Sequence, residues 1–379
     1  MNRREFSQSL AGAAATAALG RLARAESPPA RAEPPAPAVS AHARALYHSA
    51  LILDCNSAPP EDRLPLPQAE LDALRSSGID VIKYSLGGIN DDFARTVAAI
   101  GQVQKLIEAH PAYFTHVRTA ADFARAKSES RLGIILSFES AEMLQGKLES
   151  LELFRNLGVR VMQLSYNRKS PFAAGVMEPE GGGLTPLGRE AVAEMNRLGV
   201  AIDLSHANAA TTTAVLALAA KPPVMTHAGC AAVHPHPRNK SDEQLRALAD
   251  RGGVVGIFDL PYLTASPRQP TVDDYLAHLE HALRIAGEDH VGIGSDVGIL
   301  PLDLSEKGMA EVNKELEQRR ASGLAAPEED RPPYVVGLNT PRRIEVIADQ
   351  LLRRGYPPGV VERVIGANFA RVFADIWTA

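Results

Sequence analysis

Short apolar runs recur along the chain, each closed by a polar residue and followed by a segment whose apolar side chains return every three or four positions. In order they are LILDCN (51–56), IDVIKYSL (79–86), RLGIILSFE (131–139), VRVMQLSYN (159–167), VAIDLSH (200–206), PPVMTH (222–227), GGVVGIFDL (252–260) and HVGIGSD (290–296). Runs of this kind read as strands and the intervening periodicity as helices, so the pattern predicts parallel strands joined by crossover helices. Eight such units are the number that closes a (β/α)8, TIM-like barrel. Residues 184–199 fit the scheme, with Thr185 as a helix cap and Gly199 as a stop, and residues 241–253 repeat the device. A doubly wound open sheet is the rival architecture, but no G-x-G-x-x-G follows an early strand.

Composition narrows the partners. With 379 residues, 45% hydrophobic content and a formal net charge of -5, the chain can bury a full core, and it lacks the basic runs that nucleic-acid binding needs. Residues 1–25 set Arg3 and Arg4 ahead of a modest apolar stretch closed by Ala23-Arg24-Ala25. That order predicts a twin-arginine export signal and hence a periplasmic or secreted protein. Residues 26–42 are rich in Pro and Ala and read as a linker, leaving 43–379 as one folded domain. No run of 18 apolar residues follows, so no membrane span is expected after signal removal. The two cysteines, Cys55 and Cys230, do not make a disulfide framework.

In such a barrel the chemistry sits at the C-terminal mouth, and here the strand ends are polar. The third run ends at Glu139, the fourth at Tyr166-Asn167, the fifth at His206, the sixth at His227 and the eighth at Asp296. Two imidazoles and a carboxylate form a three-ligand set for catalytic zinc, which leaves a position open for water. Each histidine alone would be an ordinary hydrogen-bonded residue at the edge of a core; three such residues at three strand ends point to a metal. Asp296, after Gly292-Ile293-Gly294-Ser295, is placed to move a proton or to support a histidine. Arg238, in the proline-stiffened HPHPRN loop (234–239), can bind a carboxylate or form a surface ion pair. His234 and His236 read as loop histidines, Lys83 as a snorkelling side chain or half of an ion pair, and Asp259 as ambiguous.

These residues resemble a known family, the membrane (renal) dipeptidases and their bacterial exported relatives. The resemblance rests on SFES around Glu139, QLSYN at 163–167, GGLTPLGREAV at 182–192, DLSHAN around His206, THAGC around His227, HPRN at 236–239, GIGSD ending at Asp296 and GANFARVF at 366–373. It implies binuclear zinc peptidases on a distorted barrel, with Glu139 bridging two ions, His206 and His227 completing one site, Asp296 shuttling a proton and Arg238 contacting substrate. Tyr166 stands where the animal enzymes carry a substrate-binding histidine, and Asn167 beside it is expected on the substrate side too. The family's first-strand H-x-D is replaced by Cys55-Asn56-Ser57, which removes two ligands of one ion. One firmly held zinc is therefore expected, the second weak or absent, with the Cys55 thiolate as a candidate ligand.

The expected function is a zinc-dependent hydrolase of small amide bonds, most simply a dipeptidase acting on a dipeptide or similar small molecule. Another small amide, a lactam or an ester would use the same chemistry, and an exported peptide-binding protein that has lost turnover is the alternative from a different class. A homodimer is left open. Residues 305–335, charged and following the last strand, are expected to border the mouth, while the interleaved Glu and Lys or Arg of their helical part read as a solvated face.

Overall fold

Strand formation follows the apolar runs because each has two faces to cover, and the structure covers both. The computed structural model describes residues 37–60, 63–87 and 92–377. The expected signal and most of the linker lie outside the described residues, and the first described helix, Ala41–Ser49, begins just before the boundary expected at residue 43. Eight parallel strands follow in chain order: β1 (Leu53–Asp54), β2 (Val81–Ser85), β3 (Leu132–Phe138), β4 (Val159–Gln163), β5 (Ala201–Asp203), β6 (Met225–Cys230), β7 (Val255–Ile257) and β8 (Val291–Ile293). One sheet runs β1-β2-β3-β4-β5 and another carries β6-β7-β8. A parallel bridge between Asp203 and Val224 joins β5 to the start of β6, and the Cys55 amide donates to the Ile293 carbonyl at 2.8 Å, joining β8 to β1. The eight strands thus close into the TIM-like barrel that the sequence pattern predicts. A further short strand, Phe114–His116, pairs with the start of β3 below the point where β4 joins it.

Neighbouring residues in several strands belong to different cores. Ile82, Tyr84, Ile134 and Leu136 pack outward under the helices, whereas Leu53, Val81, Ile135, Ala201, Val224 and Val254 pack together at the N-terminal ends of the strands. The latter cluster is completed by Phe369, Val372, Phe373 and Ile376 of the helix Asn368–Ile376, which stoppers that end of the barrel. Closeness to this stopper explains Gly292: a Cβ there would lie 2.6 Å from the Phe369 ring. The opposite end is left to polar residues.

The crossover helices start and stop where the sequence says. Thr185 caps Pro186–Leu198 by accepting from the Gly188 amide, and Gly199 ends it in the left-handed conformation. Ser241 and Gln244 form a reciprocal capping box on Asp242–Asp250. After β8 the chain forms the helix Glu306–Ala321 and then returns over the mouth before the helix Arg343–Arg353. Several strand ends differ from expectation: β4 stops at Gln163, β5 at Asp203 and β8 at Ile293, which leaves Tyr166, Asn167, His206 and Asp296 on the segments that follow, while β6 runs longer. The sixth run does not end at His227 but continues to Cys230, because Gly229 and Cys230 pair with Asn239 and Lys240 of the returning loop. His227 therefore lies inside a strand, on backbone held from both sides.

Removing the stopper side chain tests this architecture. Phe369→Ala is expected to lower unfolding free energy by about 3–5 kcal/mol, the usual cost of emptying a buried aromatic site, read as a fall in the denaturant midpoint. An unchanged midpoint would show that this end of the barrel does not depend on it.

Candidate metal centre

Three strands deliver the three expected ligands to one point. Glu139 follows β3, and its amide donates to the Gly87 carbonyl at 3.0 Å. His206 lies on the turn after β5, where its amide donates to Gln163 Oε1 at 3.0 Å. The His227 amide donates to Ser205 Oγ, also at 3.0 Å. One ligand atom from each of Glu139, His206 and His227 lies within 4.8 Å of the others. His206 Nε2 and His227 Nε2 are 3.0 Å apart, and His227 Nε2 is 4.0 Å from both Glu139 Oε1 and Asp296 Oδ2.

The hydrogen bonds behind the rings fix which nitrogens carry protons. Asn167 Nδ2 donates to the Leu324 carbonyl at 3.0 Å, which orients the amide and turns its Oδ1 toward His206 Nδ1 at 2.7 Å. An amide oxygen can only accept, so the His206 proton is on Nδ1. Thr226 donates its hydroxyl proton to Asp203 Oδ2 at 2.5 Å and therefore accepts from His227 Nδ1 at 2.9 Å. Both Nε2 atoms are left as bare lone pairs facing each other. Burial first, and then the Arg238 charge, holds both imidazoles well below their ordinary pKa, so neither relieves the repulsion by protonation. Two neutral imidazole nitrogens and a carboxylate oxygen suit a borderline divalent cation such as zinc.

Asp203 is the hub beneath this arrangement. It also accepts from Ser205 Oγ at 2.6 Å and from the Ser205 and Thr226 amides, both at 3.0 Å, and it faces the buried Lys83 ammonium at 3.7 Å. Lys83 is thus half of an internal ion pair. Lys240 fastens the His206 turn by donating to the Leu204 and Ala207 carbonyls at 2.8 and 2.9 Å, and burial brings its pKa down to about 7.

The first strand behaves differently from its sequence expectation. Cys55 is fully buried among Leu53, Val81 and Ile135, burial pushes its thiol pKa up, and it falls outside the gathered donors. The structure gives it the role of a small buried residue in place of the candidate ligand; both cysteines are free thiols. Asp54 accepts from Ser295 Oγ and Ser295 N at 2.6 and 2.9 Å, and Ser57 donates to the Val297 carbonyl at 2.7 Å, so both stitch the barrel wall. Asn56 reaches the mouth. Its amide donates to Glu139 Oε1 at 3.1 Å and to Asp296 Oδ1 at 2.6 Å. Asp296 has a positive φ of 59°, a conformation Asp tolerates better than most residues, and its amide donates to the Asn56 carbonyl at 2.6 Å.

Around this centre Arg238 is 2% exposed, with its guanidinium carbon 5.7 and 6.0 Å from the Phe258 and Tyr262 ring centres. Its Nη2 donates a long bond to the His227 carbonyl at 3.4 Å, its Nε has no partner, and no carboxylate pairs with it among the described residues. A buried cation in that condition is prepared for an anion from outside the chain. The Tyr166 ring stacks on His206 with centres 4.0 Å apart. Asn167, expected on the substrate side, instead has its amide engaged at both ends and stands behind His206 as its orienting partner. His234 and His236 bond to Glu328 and to the Pro327 carbonyl, fastening the expected mouth segment, and Asp259 is buried beside Arg343. Sequence reasoning missed Asn56 as a clamp and Arg319, whose Nη2 donates to Tyr166 Oη at 3.1 Å. The only signal for Asn56 was its position at the centre of the Cys55-Asn56-Ser57 run.

The family model for membrane dipeptidase (peptidase family M19) matches residues 62–326. Among relatives, the chain is similar to dipeptidase tcpJ of Claviceps purpurea, 27% identical over 284 residues, which span 74% of this chain but 60% of that protein. It is 30% identical over 269 residues to an uncharacterized protein encoded in the pqqA 5' region of Klebsiella pneumoniae, covering 68% of this chain and 88% of the relative. An amidohydrolase from Pseudomonas aeruginosa has a similar structure, with a TM-score of 0.77 and 30% identity over 89% of this chain and 99% of that one. A Rhodobacter sphaeroides metallopeptidase liganded with a phosphinate mimic of the dipeptide L-Ala-D-Ala shares the fold, with a TM-score of 0.70 and 22% identity over 86% and 99% of the two chains.

The chain of bonds from Asp203 to His227 makes a direct prediction. Thr226→Val removes the acceptor that holds His227 Nδ1–H and is expected to weaken metal binding about 10–100-fold, the usual cost of losing a partner behind a ligand. Competition against a chromophoric chelator measures this; equal affinity in folded protein would remove Thr226 from the account.

Proposed function

Because this chain belongs to the membrane dipeptidase family, we propose that it is a zinc-dependent hydrolase that cleaves dipeptides or closely similar small amides. The observation that carries this reading is the pair of unprotonated imidazole nitrogens 3.0 Å apart beside the Glu139 carboxylate. Glu139, His206 and His227 would hold the zinc, which would supply a Lewis acid and a water that ionises near neutral pH.

The chain's own residues do the rest. Asp296 has one oxygen held by Asn56, and its other oxygen, Oδ2, lies 4.0 Å from His227 Nε2 beside the three ligands, where it accepts the proton of the attacking water and returns it to the departing amine. Arg238, buried without a counter-ion, binds the free carboxylate of the substrate through its planar fork. Tyr166 donates its hydroxyl proton as a hydrogen bond to the carbonyl oxygen as negative charge develops there.

The site holds one ion firmly in this reading. The family's first-strand ligands are replaced by Cys55 and Ser57, whose side chains are committed elsewhere, and between them Asn56 places a neutral amide against both carboxylates. That same change favours a second reading, an exported small-peptide-binding protein without turnover. Export through a twin-arginine signal in residues 1–25 belongs to the proposal, since it lets the protein fold and take its metal before crossing the membrane.

Purified chain loaded with zinc and assayed by elemental analysis and against a dipeptide panel decides between the readings. The expected result is about one zinc per chain and release of free amino acids, with Glu139→Gln and His206→Ala each lowering turnover by roughly 10²-fold or more. Bound peptide with no turnover supports the binding protein, and a folded chain that takes up no divalent ion overturns both the metal and the enzyme.

A further inference from the structure

We infer that Arg319, supplied by the helix that follows the barrel, is a positioning residue that commits the Tyr166 hydroxyl to donating a hydrogen bond into the mouth. The inference rests on the reading that Tyr166 faces the reacting carbonyl, and it adds a residue from outside the eight strand ends.

A phenol oxygen can accept and donate, and which it does depends on its neighbours. Arg319 Nη2 donates to Tyr166 Oη at 3.1 Å, and a guanidinium has no lone pair with which to accept. The phenol therefore accepts at this contact and keeps its single proton for another partner. Among the described residues, that proton has no acceptor. The ring cannot swing away to find one, because it lies on His206 with centres 4.0 Å and planes 26° apart. What remains is a donor on a fixed ring, beside a metal ligand.

Arg319 itself is held firmly. Its Nε and Nη2 pair with Glu329, which also accepts from Tyr262 Oη at 2.7 Å and from the Ala326 amide at 2.9 Å. The surrounding segment is fastened to the barrel loops by Asn167 Nδ2 on the Leu324 carbonyl, His236 on the Pro327 carbonyl and His234 on Glu328. The two arginines of the mouth thus have different work. Arg319 is neutralised by Glu329 and acts on Tyr166, while Arg238 is unpaired and free for a substrate anion. A short network whose members bond to one another sets geometry more sharply than any of its bonds alone.

The test uses the full zinc-loaded chain. Tyr166→Phe is expected to lower kcat by on the order of 10²-fold, as loss of an oxyanion donor does. Arg319→Met should lower kcat by about tenfold, with little change in KM. Arg319→Lys, which keeps a charge opposite Glu329 and one N–H for Tyr166, should recover part of the loss, and it carries the comparison if the Met variant does not fold. Adding Arg319→Met to Tyr166→Phe should cost nothing further. Calorimetry with a phosphinate dipeptide mimic should show Arg319→Met losing affinity for this tetrahedral anion by the same factor as kcat/KM, at unchanged zinc affinity. Arg168→Ala, which removes an exposed bond from Arg168 to the Gly323 carbonyl of the same segment, should leave kcat unchanged. Additive losses in the double variant, or a raised KM with kcat intact, overturn the inference. A wild-type chain that neither hydrolyses dipeptides nor binds the phosphinate would overturn the functional reading instead.

Discussion

Two nitrogen lone pairs, buried and pointed at one another across 3.0 Å, are the constraint on which the rest depends. Left alone they repel, and burial with a nearby guanidinium denies them the usual remedy of a shared proton. A protein keeps such an arrangement only if the surrounding bonds over-determine it. Here each ring is gripped from behind by its other nitrogen, His206 by Asn167 and His227 by Thr226, so neither can rotate to relieve the contact. A cation held by both lone pairs and the Glu139 carboxylate would turn the repulsion into attraction.

The grip is part of the barrel and not an addition to it. Asp203 is the last residue of β5, and through Val224 it takes part in the bridge that continues the sheet into β6. The same carboxylate accepts from Ser205 and Thr226, the residues that precede the two histidines. Closing the barrel and orienting the imidazoles are therefore one event. This accounts for an ion pair as deeply buried as Lys83 with Asp203: the charge that lets Asp203 serve four donors needs a counter-charge where water cannot reach. Gly294 shows the same economy of space, since a Cβ there would lie 1.8 Å from the Thr226 carbonyl oxygen and push β8 away from β6.

Much of this was legible in the sequence because strand periodicity and helix caps are local. The eight apolar runs, the Thr185 and Gly199 boundaries, and the collection of Glu139, His206, His227 and Asp296 at one mouth follow from patterns within a few residues of each position. What escaped is what depends on the partner across the fold. Asn56 and Asn167 look alike in sequence, yet one clamps two carboxylates and the other backs a histidine, because that depends on which strand ends face them. Arg319 reads as a solvated charge on a helix of mixed charge until the chain's return over the mouth brings it to Tyr166. The length of β6 escaped for the same reason, being set by Asn239 and Lys240 and not by its own apolar run.

The first strand can be weighed by charge. In the proposed site the carboxylates of Glu139 and Asp296 balance one divalent ion, and the remaining positive charge, on Arg238, is balanced when a substrate carboxylate arrives. A second divalent ion would add two charges with no side chain of the first strand turned to meet them, since Asp54 is engaged by Ser295, Cys55 is a buried thiol whose pKa is pushed up and Ser57 is spent on the Val297 carbonyl. Asn56 answers the opposite problem. Two carboxylates drawn together around a single cation still repel each other, and an amide with two protons, one for each, holds them in place without adding charge. In the proposed one-ion site the first strand therefore forms a consistent set: side chains at Cys55 and Ser57 that hold no cation, and a neutral Asn56 bridge where the carboxylates meet, are two parts of the same electrostatic solution.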